Sequence, residues 1–162
     1  MSGSHTVAAI DCGTNSIRLL IASADSDGRL VEQARELEMV RLGQGVDATG
    51  SFRPDALERT FSACRTFAQA IADHHCDRVR FVATSAARDV SNRDAFFAGV
   101  RQALGVDAEV IDGMEEASLS FAGAISGIQV IDEPGLVSDC GGGATDLVLG
   151  RGSSICRVYT SP

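Results

Sequence analysis

Two short runs of aliphatic and β-branched residues, VAAID (Val7 to Asp11) and IRLLIAS (Ile17 to Ser23), flank a turn of Gly, Thr, Asn and Ser. Runs of this kind bounded by turn residues predict two antiparallel strands. After the Asp27-Gly28 turn, RLVEQARELEMV extends the meander by a third strand, and RLGQGVDATGSF, glycine-punctuated and without period, reads as a loop. From Pro54, a favoured first helical residue, Leu57, Phe61, Cys64, Ala68 and Ile71 recur at helical spacing, and His74 and His75 close the segment. VRFVATSAARD predicts a buried strand running into a polar turn. Ser91 or Asn92 is placed to cap the next helix, whose Phe96, Phe97, Val100 and Leu104 face inward until Gly105 ends it. DAEVIDG predicts a further strand and MEEASLSFAGAISG a further helix, giving the order β-β-β-α-β-α-β-α. PGLVSDCGGGATDLVLGRGSSICRVYT then begins three more strands.

One element of this pattern occurs twice. Laid over each other, DCGTNSIRLLIA (Asp11 to Ala22) and DCGGGATDLVLG (Asp139 to Gly150) match Asp11 with Asp139, Gly13 with Gly141, Arg18 with Asp146 and Leu19 with Leu147. A repeated hairpin and a restarted β-meander point to a duplicated, two-lobed α/β architecture. The first lobe is expected over residues 1–130 and the opening strands of a second over 131–162, so that the second lobe has only begun at Pro162.

Composition narrows the functional classes. A chain of 162 residues with 44% hydrophobic content is long enough for a full domain with a true core. No apolar run has the length of a membrane span, and the first residues lack the pattern of a secretory signal. The five cysteines are odd in number and lack zinc-ligand or Cys-x-x-Cys spacing, so a cytoplasmic protein without a disulfide framework or structural metal is expected. Cys12 and Cys140, at equivalent points of the repeat, read as small buried residues. The adjacent His74 and His75 read as favourable charges at a helix end rather than ligands. The net charge is −8 and every basic residue is arginine, which argues against nucleic-acid and anionic-membrane partners. A phosphate site remains compatible, because arginines, backbone amides and a divalent cation act locally.

The glycines suggest such a site. A strand-turn-strand with glycine at successive turn positions lets the backbone approach a ligand and aim several N–H groups at one anion. Asp139, at the strand end, can hold a hydrated divalent cation. A tight hairpin needing left-handed backbone is the structural alternative, and the duplication around an aspartate favours phosphate.

Taken together and in order, DCGTNSIRLLI, RLGQGVD-TG, ATSAARDVSN, the IDGMEEA segment and DCGGGATDLVLG resemble the exopolyphosphatase/guanosine pentaphosphate phosphatase (Ppx/GppA) family, from Val7 to about Val158. The resemblance implies a ribonuclease H-like fold of the actin-like ATPase superfamily. It implies Mg2+-dependent hydrolysis of the terminal phosphoanhydride of inorganic polyphosphate, or removal of the 5′ γ-phosphate of guanosine pentaphosphate (pppGpp), in a cleft between two lobes. It further implies Glu116 as the catalytic base, with Glu115 as the fallback, and Arg88 as a phosphate-gripping arginine. Asp139 and Asp146 are implied to hold Mg2+ and the attacking water, with Asp11 completing the metal set. Asn15, Ser16 and Arg18 of the first hairpin and Gly141, Gly142 and Gly143 of the second form the implied phosphate cradle. A homodimer is compatible with it.

Three departures from the family pattern stand out. The glycine hairpin usually reads Gly-Gly-Gly-Ser-Thr-Glu, whereas Ala144 removes the hydroxyl and Asp146 is one methylene shorter. Ser118 stands where a long side chain usually follows Glu-Glu-Ala. The family's second lobe is mostly absent from these residues, so the chain by itself is expected to be inactive or weak. The departures motivate a different class, a phosphate- or nucleotide-sensing module that keeps the cradle and has lost turnover. A sugar or acetate kinase of the same fold is disfavoured, since nothing here supplies an adenosine site.

Overall fold

A computed structural model describes residues 5–84, 87–126, 133–141, 145–152 and 154–161 of the chain. Runs rich in aliphatic residues, buried at alternate positions, make β1 (Thr6–Cys12) and β2 (Ser16–Ala24), and the largely exposed, more polar β3 (Leu30–Met39) follows. These are followed by α1 (Val46–Thr49), α2 (Pro54–Asp73), β4 (Arg78–Ala83), α3 (Arg93–Leu104) and β5 (Ala108–Val110). Then come α4 (Gly113–Ser126), β6 (Pro134–Cys140), β7 (Thr145–Arg151) and β8 (Ser154–Ser161). The order is the expected one, apart from the single turn of helix α1 inside the segment read as loop. The chain divides into two units, Met1–Val110 and Ile111–Pro162.

In the first unit a five-stranded sheet runs in the order β3-β2-β1-β4-β5, with β1 antiparallel to β2 and parallel to β4. The two-residue period of the strands buries Ala8, Ile10 and Cys12 of β1 and Ile17, Leu19 and Ile21 of β2 in the core against α2 and α3. Phe67, Phe81 and Phe96 are completely buried there, and burial of each contributes roughly 1.5–3 kcal/mol. The buried stripe of α2 is Ala56, Thr60, Ala63, Cys64 and Phe67. Of the residues expected to line it, Cys64 is at the centre and Leu57, Phe61 and Ile71 pack half-buried at its margin. Thr60 is tolerated because its hydroxyl donates to the Ala56 carbonyl at 2.8 Å.

Helix α3 departs from expectation at its start and agrees at its end. Asn92 takes the N-cap position, as one of the two expected residues, but neither it nor Ser91 caps the helix with its side chain. The Asn92 side chain accepts from the Phe52 N–H at 2.9 Å and donates to the Phe52 carbonyl at 2.9 Å, while Ser91 Oγ donates to the Gly50 carbonyl at 3.1 Å. The irregular segment 50–52, which begins with the left-handed Gly50 at the end of α1, has no ladder of its own, so these side chains satisfy its backbone instead of the helix terminus. At the other end Gly105, at φ 72°, takes the left-handed conformation that closes a helix cheaply only without a Cβ, and its N–H returns to the Arg101 carbonyl at 2.9 Å.

In the second unit β6, β7 and β8 form an antiparallel sheet in that order. Helix α4 packs on it through Ala117 and Phe121 against Val148, with Ile125, Val137, Ile155 and Val158 around them. By its packing α4 therefore goes with the later strands, and the expected boundary at 130/131 falls outside the described residues. Asp112 caps α4: its Oδ1 accepts from the Glu115 N–H at 2.8 Å, and its carbonyl from the Glu116 N–H at 2.9 Å.

Candidate active site

The duplicated hairpin is realised in the strand register. Asp11 is the cross-strand partner of Arg18 on β1 and β2, and Asp139 is the cross-strand partner of Asp146 on β6 and β7. These are the pairs that the overlay of the two stretches equates.

In the first unit Cys12 lies beside Ala83 across the parallel pair of β1 and β4, so both strands end on one edge of the sheet. Ligands of open α/β sheets bind beyond the carboxyl ends of parallel strands. The Thr84 N–H donates to the Cys12 carbonyl at 3.2 Å and the Ala87 N–H to the Thr84 carbonyl at 3.1 Å, which brings the turn bearing exposed Arg88 to the edge that carries the β1–β2 turn. Asn15 is exposed and Ser16 half-buried in that turn.

The backbone of the turn is held from behind by residues 40–43. The Thr14 carbonyl accepts from the Gly43 N–H at 2.9 Å, and the Asn15 carbonyl accepts from the Val40 and Arg41 N–H groups at 3.0 and 2.8 Å. None of the described peptides is cis. In a trans peptide the carbonyl and the following N–H point opposite ways, so the N–H groups of Asn15 and Ser16 face away from the supporting loop. Successive backbone N–H groups turned to one side are able to donate to an anion. Arg41 adopts φ 48° to make its bond, a left-handed conformation that costs a non-glycine residue about 1–2 kcal/mol. This supporting role was not legible in RLGQG, which reads as a plain connector.

Arg18 lies 3.9 Å from Asp11, with both side chains about half exposed (59% and 48%). Such a long, solvated pair is worth on the order of 0–1 kcal/mol, so the guanidinium is free to turn toward an anion at little cost.

In the second unit the corresponding pair is two acids. Asp139 and Asp146, both half-buried, stand opposite each other on the sheet face that carries buried Val148. Side chains opposed across an antiparallel ladder have Cβ atoms about 4.5–5.5 Å apart, and like charges there repel. Among the described residues neither carboxylate takes part in an ion pair. Ser120 Oγ, on α4, donates to Asp139 Oδ2 at 2.5 Å. Glu116 is half-buried one helical turn before Ser120 and hence on the same stripe of α4, whereas Glu115 is exposed at the third position of the capping motif. Of the two glutamates, Glu116 is therefore the one on the side of α4 that carries Ser120.

Among the described residues no three His, Cys, Asp or Glu side chains cluster as a preformed metal cage. The donor set does fit Mg2+, which is commonly held by one or two carboxylates with waters and substrate phosphates completing the shell. Gly141 is exposed at the end of β6, while Gly142, Gly143 and Ala144 lie outside the described residues. Ser118 is exposed and its hydroxyl turns back to the Met114 carbonyl of its own helix at 2.7 Å. Cys12 is buried as expected, and burial, then Cys64, then Asp11 push its thiol well above the usual range. Cys140 is exposed, contrary to expectation: on the three-stranded sheet its side chain points to the face opposite α4 and Val148. Ser120 was missed, although a polar residue four positions after Glu116 and next to buried Phe121 is the signal that marks it.

A mixed sheet with an Asp-bearing hairpin at its carboxyl edge, followed by a second such hairpin, is the architecture of the actin-like ATPase superfamily, to which the structural neighbours belong. The model of the Ppx/GppA phosphatase family matches residues 20–162, and the chain belongs to this family. It is 55% identical over 153 residues to exopolyphosphatase 2 of Mycobacterium tuberculosis, covering 90% of this chain and 48% of that one. It is similar to the crystal structure of an exopolyphosphatase-like protein, with a TM-score of 0.89 and 49% identity over 97% of this chain and 50% of the other. The Aquifex aeolicus member of the family superposes with a TM-score of 0.86 at 30% identity, over 99% of this chain and 52% of that one. The chain thus spans about half the length of the relatives it matches. No described helix is long and apolar enough to cross a membrane.

Proposed function

We propose that this chain is the N-terminal part of an exopolyphosphatase, which removes terminal phosphate from inorganic polyphosphate by Mg2+-dependent hydrolysis, with pppGpp as the second candidate substrate. The observation that carries the reading is the half-buried pair Asp139 and Asp146, one member of which is hydrogen-bonded to the helix that bears Glu116. The name of the Mycobacterium relative supports polyphosphate as the substrate class.

The chemistry asked of the residues is limited. In phosphoryl transfer the protein chiefly positions the reactants and stabilises charge on the equatorial oxygens. Glu116 accepts a proton from the attacking water, whose oxygen bonds to the terminal phosphorus as the bridging P–O bond breaks. The electron pair of that bond leaves with the shortened chain, and orthophosphate is released. Arg88 grips two phosphate oxygens through its fork and keeps its charge throughout, and the Asn15 and Ser16 N–H groups with Arg18 supply further donors. Asp139 and Asp146 would hold Mg2+, which when bound would offset phosphate charge and lower the pKa of water.

The test is phosphate release from long-chain polyphosphate and from pppGpp with Mg2+, measured on this chain and on any longer protein that contains it. Loss of a general base costs about 10²–10⁴-fold in rate, so Glu116→Gln is expected to cut release by that factor while substrate still binds. A Glu116→Gln variant as fast as the parent removes Glu116 from the mechanism. Tight binding without release in the parent favours the sensing module, for which Ala144, Asp146 and Ser118 are the motivating features.

A further inference from the structure

We propose that Ser120 is a positioning residue that fixes the Asp139 carboxylate for cation binding and locks it in register with Glu116. The inference rests on the metal-dependent reading above and adds a residue to it. Its basis is a single geometric fact: the Ser120 hydroxyl donates to Asp139 Oδ2 at 2.5 Å in a partly buried setting, linking α4 to β6.

Three consequences follow from that bond. A carboxylate at a strand position can rotate about its Cβ–Cγ bond, and a short charge-assisted hydrogen bond to one oxygen holds it against rotation. With Oδ2 engaged, Oδ1 is the oxygen left to bind an ion shared with Asp146, its opposite partner on β7. Finally, Ser120 and Glu116 are four residues apart on one helix, so the same bond fixes the height of Glu116 along β6. Partners of this kind, which orient the groups that hold a metal, typically change metal affinity by about 10–100-fold when removed. The serine is also costly in its setting unless used: its neighbours on the packed side of α4, Ala117 and Phe121, are buried apolar residues, and a half-buried hydroxyl needs a partner.

The experiment is calorimetric titration of Mn2+, as a Mg2+ surrogate, into this chain and its Ser120→Ala, Ser120→Thr and Asp139→Asn variants, with urea unfolding of each in the absence of cation. Ser120→Ala is expected to weaken Mn2+ binding by about 10-fold with little change in the unfolding midpoint, and Ser120→Thr, which keeps the hydroxyl, to restore most of the affinity. Asp139→Asn is expected to abolish binding. If Mn2+ binds and Asp139→Asn abolishes it, but Ser120→Ala binds as tightly as the parent, the positioning role is overturned and the metal reading stands. If Mn2+ does not bind the parent chain, both are overturned. If Ser120→Ala and Ser120→Thr lose affinity only in proportion to a lowered unfolding midpoint, the bond is structural and the proposal fails.

Discussion

Replacing Gly43 by alanine tests the support behind the β1–β2 turn, the phosphate site of the proposed function. A Cβ built on Gly43 would lie 2.3 Å from Thr14 Cγ2, 3.4 Å from Thr14 Cβ and 3.6 Å from the Thr14 carbonyl oxygen. Carbon atoms in contact normally sit about 3.5–4.0 Å apart, so the methyl is more than about 1 Å too close. Gly43 itself is not in the left-handed region, so backbone strain of the alanine is not in play and the clash is the whole perturbation. Either Thr14 rotates or the loop backs away. Retreat stretches the 2.9 Å bond from Gly43 to the Thr14 carbonyl and loosens the pair from Val40 and Arg41 to Asn15. Overpacking of this kind costs about 1–3 kcal/mol.

The same retreat frees the N–H groups of Asn15 and Ser16 to turn, so binding of tripolyphosphate is expected to weaken by about 10-fold, equivalent to about 1.4 kcal/mol. Urea unfolding and calorimetric titration of tripolyphosphate, each performed in the parent and in a Thr14→Ala background, measure both effects. Thr14→Ala removes Cγ2, and Gly43→Ala is expected to cost little further stability or affinity in that background. Equal losses in the two backgrounds, or none in the parent, would refute the steric argument.

Two further outcomes are expected. Gly150→Ala would place a methyl 2.4 Å from Phe121 Cζ and 2.7 Å from the Ser154 carbonyl oxygen, and thermal unfolding should show a loss of about 1–3 kcal/mol, whereas Gly135→Ala on the neighbouring strand, with nothing within 4 Å, should change stability by less than about 1 kcal/mol. The Cys64 thiol is pushed up to about 12 by burial, so the folded chain keeps a proton there that the unfolded chain loses above its ordinary value. Stability is therefore full below about pH 8.5 and falls toward pH 12, by at most about 1.4 kcal/mol per pH unit for this thiol; urea midpoints against pH should decline, and less steeply in Cys64→Ala.

The features legible in the sequence were those set by local chemistry. Pro54 started α2 and Gly105 ended α3 because each residue has one conformational use at such a point. The repeat was legible as one hairpin pattern used twice, and the structure adds its register, which pairs Asp11 with Arg18 and Asp139 with Asp146. What escaped was decided by partners distant in the chain. Ser91 and Asn92 looked like caps, and spend their side chains on segment 50–52. Cys140 shares its strand context with Cys12, but only β1 is central in a sheet covered by two helices on that face; β6 is an edge strand. Ser120 carried a signal only when read against Glu116, and its partner Asp139 lies 19 residues on.

The two hairpins show how one device can be turned to opposite electrostatic ends. Both carry an aspartate at the penultimate strand residue and place its partner at the same register position, and the difference at that partner is arginine at 18 and aspartate at 146. In the first hairpin the arginine neutralises Asp11, leaving the turn's N–H groups and a loosely held guanidinium as its outward face, which suits an anion. In the second, two carboxylates oppose each other, with Ser120 the neutral side-chain donor to them among the described residues, which suits a cation. The phosphoanhydride hydrolysis proposed above would use both, because the transferred group is an anion whose charge must be met by donors and by a metal. Exchanging the partners tests the division: Asp146→Arg should remove Mn2+ binding while leaving the fold of β6 and β7 intact, since a cross-strand Asp-Arg pair already stands at the equivalent place in β1 and β2. Retention of Mn2+ affinity in Asp146→Arg would show that the second hairpin does not hold the cation through this pair.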